Sequence, residues 1–137
     1  MQNKKILNLI IFFGVCLSLS LFVIDAKGQT PRKIVVHETT LRKKATKTVI
    51  PKYPEKAVKS KSAGIAVAEI TVSEDGSVMN VKILESPNKL IDASMTEALK
   101  QWKFYSFYLN GQPQKVTGKI TFYFVIENKK AKVESPF

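Results

Sequence analysis

The sequence predicts a small α+β domain: two helices laid on one face of a three-stranded sheet, in the order helix, strand, strand, helix, strand. Three observations predict it. Ile65 to Val72 alternates, placing Ala66, Ala68, Ile70 and Val72 on one face. Ile91, Met95, Ala98, Leu99 and Trp102 recur at helical spacing and form one apolar stripe. Ile120, Phe122, Phe124 and Ile126 share one face of a last strand whose other face carries Thr121, Tyr123 and Val125. Three strands alone bury too little surface, and two helices on one face supply the rest of a core.

Each element has a local cause. Pro51-Lys52-Tyr53-Pro54 is a stiff lead-in, and Glu55 to Lys61 has helical composition. Pro54 is tolerated near the first turn, where backbone N–H groups have no helical partner anyway. Gly64 ends that helix and opens the first strand. Ser73-Glu74-Asp75-Gly76 is a turn, with Asp75-Gly76 supplying the unusual backbone angles. Val78 to Leu84 returns as the second strand of a hairpin, with Val81 and Ile83 inward. Ser86-Pro87-Asn88 breaks the chain before a helix over about 90–102. Asp92 in its first turn and Lys100 and Lys103 near its end suit the helix dipole. Phe104, Tyr105, Phe107 and Tyr108 then crowd a short stretch that ends in the turn signal Asn110-Gly111. Pro113 argues against a regular strand there. The last strand runs from about 115 to 128, and residues 129–137 are expected to fray. Trp102 and Phe104 are the natural central plug of the core.

The N-terminus decides the compartment. Lys4 and Lys5 precede Ile6 to Ile24, a run of 19 residues without a charge. Small residues at Ala26 and Gly28 fit a secretory signal cleaved before Gln29. The same run would span about 28 Å as a helix, close to the hydrocarbon thickness of a bilayer. Residues 1–28 are therefore a signal peptide or an N-terminal membrane anchor, with the rest exported. Cys16 lies inside the run behind bulky Val15, a poor context for lipidation. It is the only Cys, so the exported part needs no disulfide.

The 137 residues carry a net charge of +11. Taken whole, that suggests nucleic acid or anionic lipid. Export argues against nucleic acid. The excess is also local, because residues 29–61 hold ten basic and two acidic side chains. Residues 29–50 read as a basic, flexible tether with affinity for anionic lipid or cell wall, although Ile34, Val35 and Val36 could form a short strand. No nucleophile–base set can be assembled, since exported Cys is absent and the one His, His37, lies in the tether. Glu74 and Asp75 are turn residues rather than an acid–base pair. The expectation is a non-enzyme with no cofactor and no metal.

Residues 51–128 resemble the TonB carboxy-terminal domain family. The resemblance rests on Tyr53-Pro54 with Ala57 behind them, Gly64, Asp75-Gly76, Val78, Val81, Ser86, Asp92, Ala98 and Trp102-Lys103-Phe104, followed by Asn110-Gly111 and Pro113. It implies an antiparallel sheet with the last strand at an edge. It also implies a role between an inner-membrane proton-driven motor and outer-membrane receptors, in which the last strand pairs with a short receptor segment, the TonB box. An open edge offers unpaired N–H and C=O groups to such a peptide. Carried over, the docking edge is the backbone of Gly118, Lys119, Ile120, Thr121, Phe122, Tyr123, Phe124, Val125 and Ile126, bordered by Ile50 to Lys52. The implied partner is an outer-membrane TonB-dependent receptor or another periplasmic protein. Two features depart from an energy transducer. The apolar run holds no His with which to engage the motor, and the 26 residues from Asp25 to Ile50 stretch to at most about 90 Å. A periplasmic adaptor without motor coupling is the alternative.

Overall fold

A computed structural model describes residues 32–136. Residues 1–28, expected to be a signal peptide or membrane anchor, with the apolar run 6–24 and Cys16, lie outside the described residues. Within them, no helix is long and apolar enough to cross a membrane.

The chain opens with β1 (Ile34–Val36), α1 (Glu38–Lys44) and β2 (Ala45–Lys47), and continues with α2 (Glu55–Lys59). The hairpin β3 (Gly64–Val72) and β4 (Val78–Glu85) follows, then α3 (Lys89–Lys100). Short strands β5 (Lys103–Phe104), β6 (Phe107–Leu109) and β7 (Gln112–Gln114) lead to the long β8 (Val116–Glu127) and to β9 (Lys130–Glu134).

The predicted core elements form for the predicted reasons. Every member of the α3 stripe is buried, as are Ala66, Ala68, Ile70 and Val72 of β3 and Ile120, Phe122 and Phe124 of β8. The Asn88 side chain caps α3 by accepting the Leu90 N–H at 2.8 Å. Trp102 is 1% exposed, and its Nε1–H donates to the Val49 carbonyl at 2.9 Å. The ring lies edge-on to Phe122 and tilted against Phe104, so the expected plug is an aromatic cluster. Gly76 has φ +85°, and a Cβ there would come within 1.9 Å of the Phe104 carbonyl oxygen. The Phe104 N–H donates to Gly76 O at 2.9 Å, so this turn is pinned to the strand after α3.

The sheet differs from the expected three strands. It has five, in the order β1-β8-β3-β4, with β9 also on β8. Three corrections follow. Residues 34–47, expected within the flexible tether 29–50, fold as β1, α1 and β2. The basic excess therefore sits largely on the folded domain. The tail expected to fray instead returns as β9, paired with β8 from Tyr123↔Glu134 to Glu127↔Lys130. The stretch around Pro113 is a small hairpin closed at Asn110-Gly111, both with positive φ. Tyr108 faces Pro113 across it. In a two-residue hairpin that second pair is the one without ladder hydrogen bonds, so the missing proline N–H costs nothing.

Candidate functional site: the outer edge of the last strand

One side of β8 is occupied by β3 over Val116 to Phe124, from Gly64↔Phe124 to Val72↔Val116. The other side is the edge that the sequence reading leaves open. Here the structure corrects it: the chain covers this edge in three pieces. β1 pairs in parallel with Val116 to Gly118, and β9 pairs antiparallel with Tyr123 to Glu127. The gap around Thr121 is closed by side chains of α1. Glu38 Oε1 accepts the Thr121 N–H and its Oε2 accepts the Thr121 hydroxyl, both at 2.9 Å. Arg42 Nη2 donates to the Thr121 carbonyl at 2.8 Å. Glu38 and Arg42 also bind each other, at 2.7 and 2.9 Å. The ion pair thus presents an acceptor and a donor to one residue of β8, as a neighbouring strand would. These contacts also fix the parity of the edge. Thr121 points both backbone groups outward, and so do Tyr123, Val125 and Glu127, by alternation.

A glycine lets α1 sit this close. A Cβ on Gly118 would lie 2.6 Å from Leu41 Cδ1 and 2.6 Å from Val36 O. Leu41 is completely buried there. The Arg42 guanidinium packs over the Phe122 and Trp102 rings, 5.5 and 5.7 Å from their centroids. None of Glu38, Leu41 and Arg42 features in the sequence-predicted site. Their only sequence signal is the Glu–Arg spacing of four around an apolar Leu.

The rest of the predicted site falls on both faces of the edge. Ile120, Phe122 and Phe124 point into the core, while Lys119 is exposed on the opposite face and Thr121, Tyr123 and Val125 are half-buried there. Tyr53 packs edge-on to Phe124 at 5.2 Å and donates its hydroxyl to Ser62 O at 2.8 Å. Burial raises the Tyr53 pKa above its ordinary value. Ile50 borders a cavity of about 460 Å³ beside the gap, together with Thr39, Lys43, Thr48, Phe122 and Ser135. Pro54 precedes α2, and Asp75 and Gly76 lie in the β3–β4 turn, so these family residues are structural. Among the described residues no cluster of three or more His, Cys, Asp or Glu is placed to hold a metal ion.

The family of the Gram-negative bacterial TonB protein C-terminal matches residues 49–126. The chain belongs to the TonB C-terminal family. Protein TonB of Vibrio cholerae is 33% identical over 89 residues, which is 64% of this chain and 35% of that protein. Protein TonB of Xanthomonas campestris is 32% identical over 71 residues, 51% of this chain and 31% of that protein. The chain thus spans about a third of the length of these relatives. The solution NMR structure of the Pseudomonas aeruginosa TonB C-terminal domain superposes with a TM-score of 0.52 at 25% identity, covering 64% of this chain and 89% of that one. In this TonB C-terminal domain, β1, α1 and β9 all lie outside the stretch that the family matches.

Proposed function

We propose that this chain is an exported, TonB-like periplasmic protein that takes part in TonB-dependent transport by docking the TonB box of an outer-membrane receptor along Gly118 to Ile126. It acts by binding and not by catalysis. The observation that carries the reading is that the β8 edge is covered by short pieces from outside the family-matched stretch rather than by a full sheet neighbour. A short extended peptide matches the scale of those pieces, and strand addition needs only the backbone groups they now satisfy. The basic residues between Arg32 and Lys61 would favour a periplasmic surface of anionic lipid or cell wall. Titration with a synthetic TonB-box peptide tests the docking: amide resonances should shift chiefly within Gly118 to Ile126, and no shift at millimolar peptide would reject it.

A second reading, an adaptor without motor coupling, is favoured by His37. This His sits in the folded domain, where its carbonyl accepts the Thr40 and Leu41 N–H groups of α1. It is not in an apolar run from which a motor contact could be made. The intact mass of the membrane fraction separates the two. A protein that retains Met1 keeps an anchor for the motor, whereas a soluble protein beginning at Gln29 cannot couple to it directly.

A further inference from the structure

The two covers of the β8 edge are held very differently. The β1–α1 segment is anchored by fully buried Leu41 against Gly118 and by the Glu38–Arg42 clamp, whose side chains are only 13–19% exposed. Within β9 itself, Lys130–Glu134, the described contacts are weaker. Lys130, Ala131, Lys132 and Glu134 are exposed, and Val133 alone packs against the core. Its ion pairs, Lys132 with Glu127 and with Glu134, are on the surface, where such pairs add little. Its turn holds both Asn128 and Lys129 at positive φ, a conformation that costs a lysine more than a glycine.

We propose that β9 is a removable occupant of the part of the docking edge from Tyr123 onward, and that the incoming peptide takes its place there while β1–α1 stays. This rests on the docking reading above and adds the chemistry of the peptide. Val133 faces the core beside Phe124. Extending the register by one step sets Ser135 opposite Phe122 with the same core-facing parity, and Ser135 lines the cavity whose walls include Trp102, Phe122 and Ile50. A serine leaves that cavity of about 460 Å³ largely unfilled. The partner is therefore an extended peptide with two core-facing side chains two residues apart: a branched aliphatic one opposite Phe124 and a bulky apolar one opposite Phe122. Alternation makes this pattern independent of strand direction.

Hydrogen exchange on the full chain, with no peptide, tests the occupant. The Tyr123 and Val125 amides should exchange through local opening, well before Thr121. Val133→Asp should speed them about tenfold, and Ser135→Phe, which fills the cavity, should slow them about threefold. If all three amides exchange only with global unfolding, or if neither variant changes them, the proposal is overturned. A TonB-box peptide then tests the linkage. Val133→Asp should bind it more tightly than wild type, and Ser135→Phe more weakly. Equal affinities, with shifts still inside Gly118 to Ile126, would overturn the gate and leave docking standing. If exchange responds to both variants and no protein binds the peptide, the removable strand is supported and the receptor reading fails.

Discussion

Replacing Gly118 with Ala should loosen the β1–α1 segment and leave the family domain folded. The new Cβ would sit 2.6 Å from both Leu41 Cδ1 and Val36 O. The first neighbour is the tip of a side chain and can rotate away. The second is backbone, and moving it means moving β1. Overpacking of this kind costs about 1–3 kcal/mol. Removing a glycine from a strand returns roughly 0.5–1 kcal/mol. The clash with backbone puts the cost in the upper half of that range, so the net loss is about 1–2.5 kcal/mol, close to 4 °C in Tm per kcal/mol for a domain of this size. Urea denaturation gives the stability, and hydrogen exchange at Thr121 reports the clamp directly. Leu41→Ala should relieve part of the clash, so the double variant should lose less than the two single losses combined, by about 0.5 kcal/mol or more. A Gly118→Ala protein as stable as wild type, or strict additivity with Leu41→Ala, would refute the proposed fit between these two residues.

Two further predictions concern the core and the hairpin. Trp102→Ala should cost about 3–5 kcal/mol, because it empties the centre of the aromatic cluster and removes the bond to Val49; melting near wild type would refute that placement. Asp75 accepts hydrogen bonds from the Ser73 hydroxyl and from the Ser77 N–H and hydroxyl, which hold its pKa below the ordinary 3.8. A depressed carboxyl stabilises the fold above its unfolded pKa and loses that contribution as pH falls through the folded value. Wild type and Asp75→Asn should therefore differ in stability at neutral pH and converge below about pH 3.8, as acid titrations of both would show; a constant difference down to pH 2 would contradict this.

The parts of the fold that were legible in the sequence are those with a period. The α3 stripe and the alternation in β3 and β8 repeat over several residues, and their neighbours share the same core. β1, α1 and β9 span three, seven and five residues. At that length a pattern carries little information, and what holds each piece is distant in sequence: Thr121 lies 83 residues from Glu38 and 79 from Arg42. The sequence therefore points to β8 as the candidate edge, while the pieces that cover it carry no comparable pattern. A glycine inside an otherwise apolar strand marks a close backbone approach, and Gly118 was the one local hint that something packs there. Asn128-Lys129 is a weaker turn signal than Asn-Gly, because the second residue must accept a positive φ without being glycine.

The pairing of β1 has a mechanical consequence. β1 is the first strand of the described chain, and its partner is β8 itself. Tension arriving through the preceding residues would enter the domain at the strand that carries the proposed docking edge, bypassing α2 and α3. It would act along the strand axis, where the β1 ladder and the Glu38–Arg42 clamp share the load instead of yielding one bond at a time. The β9 slot lies farther along the same strand, so a peptide seated there would be joined to β1 through the backbone of β8 alone.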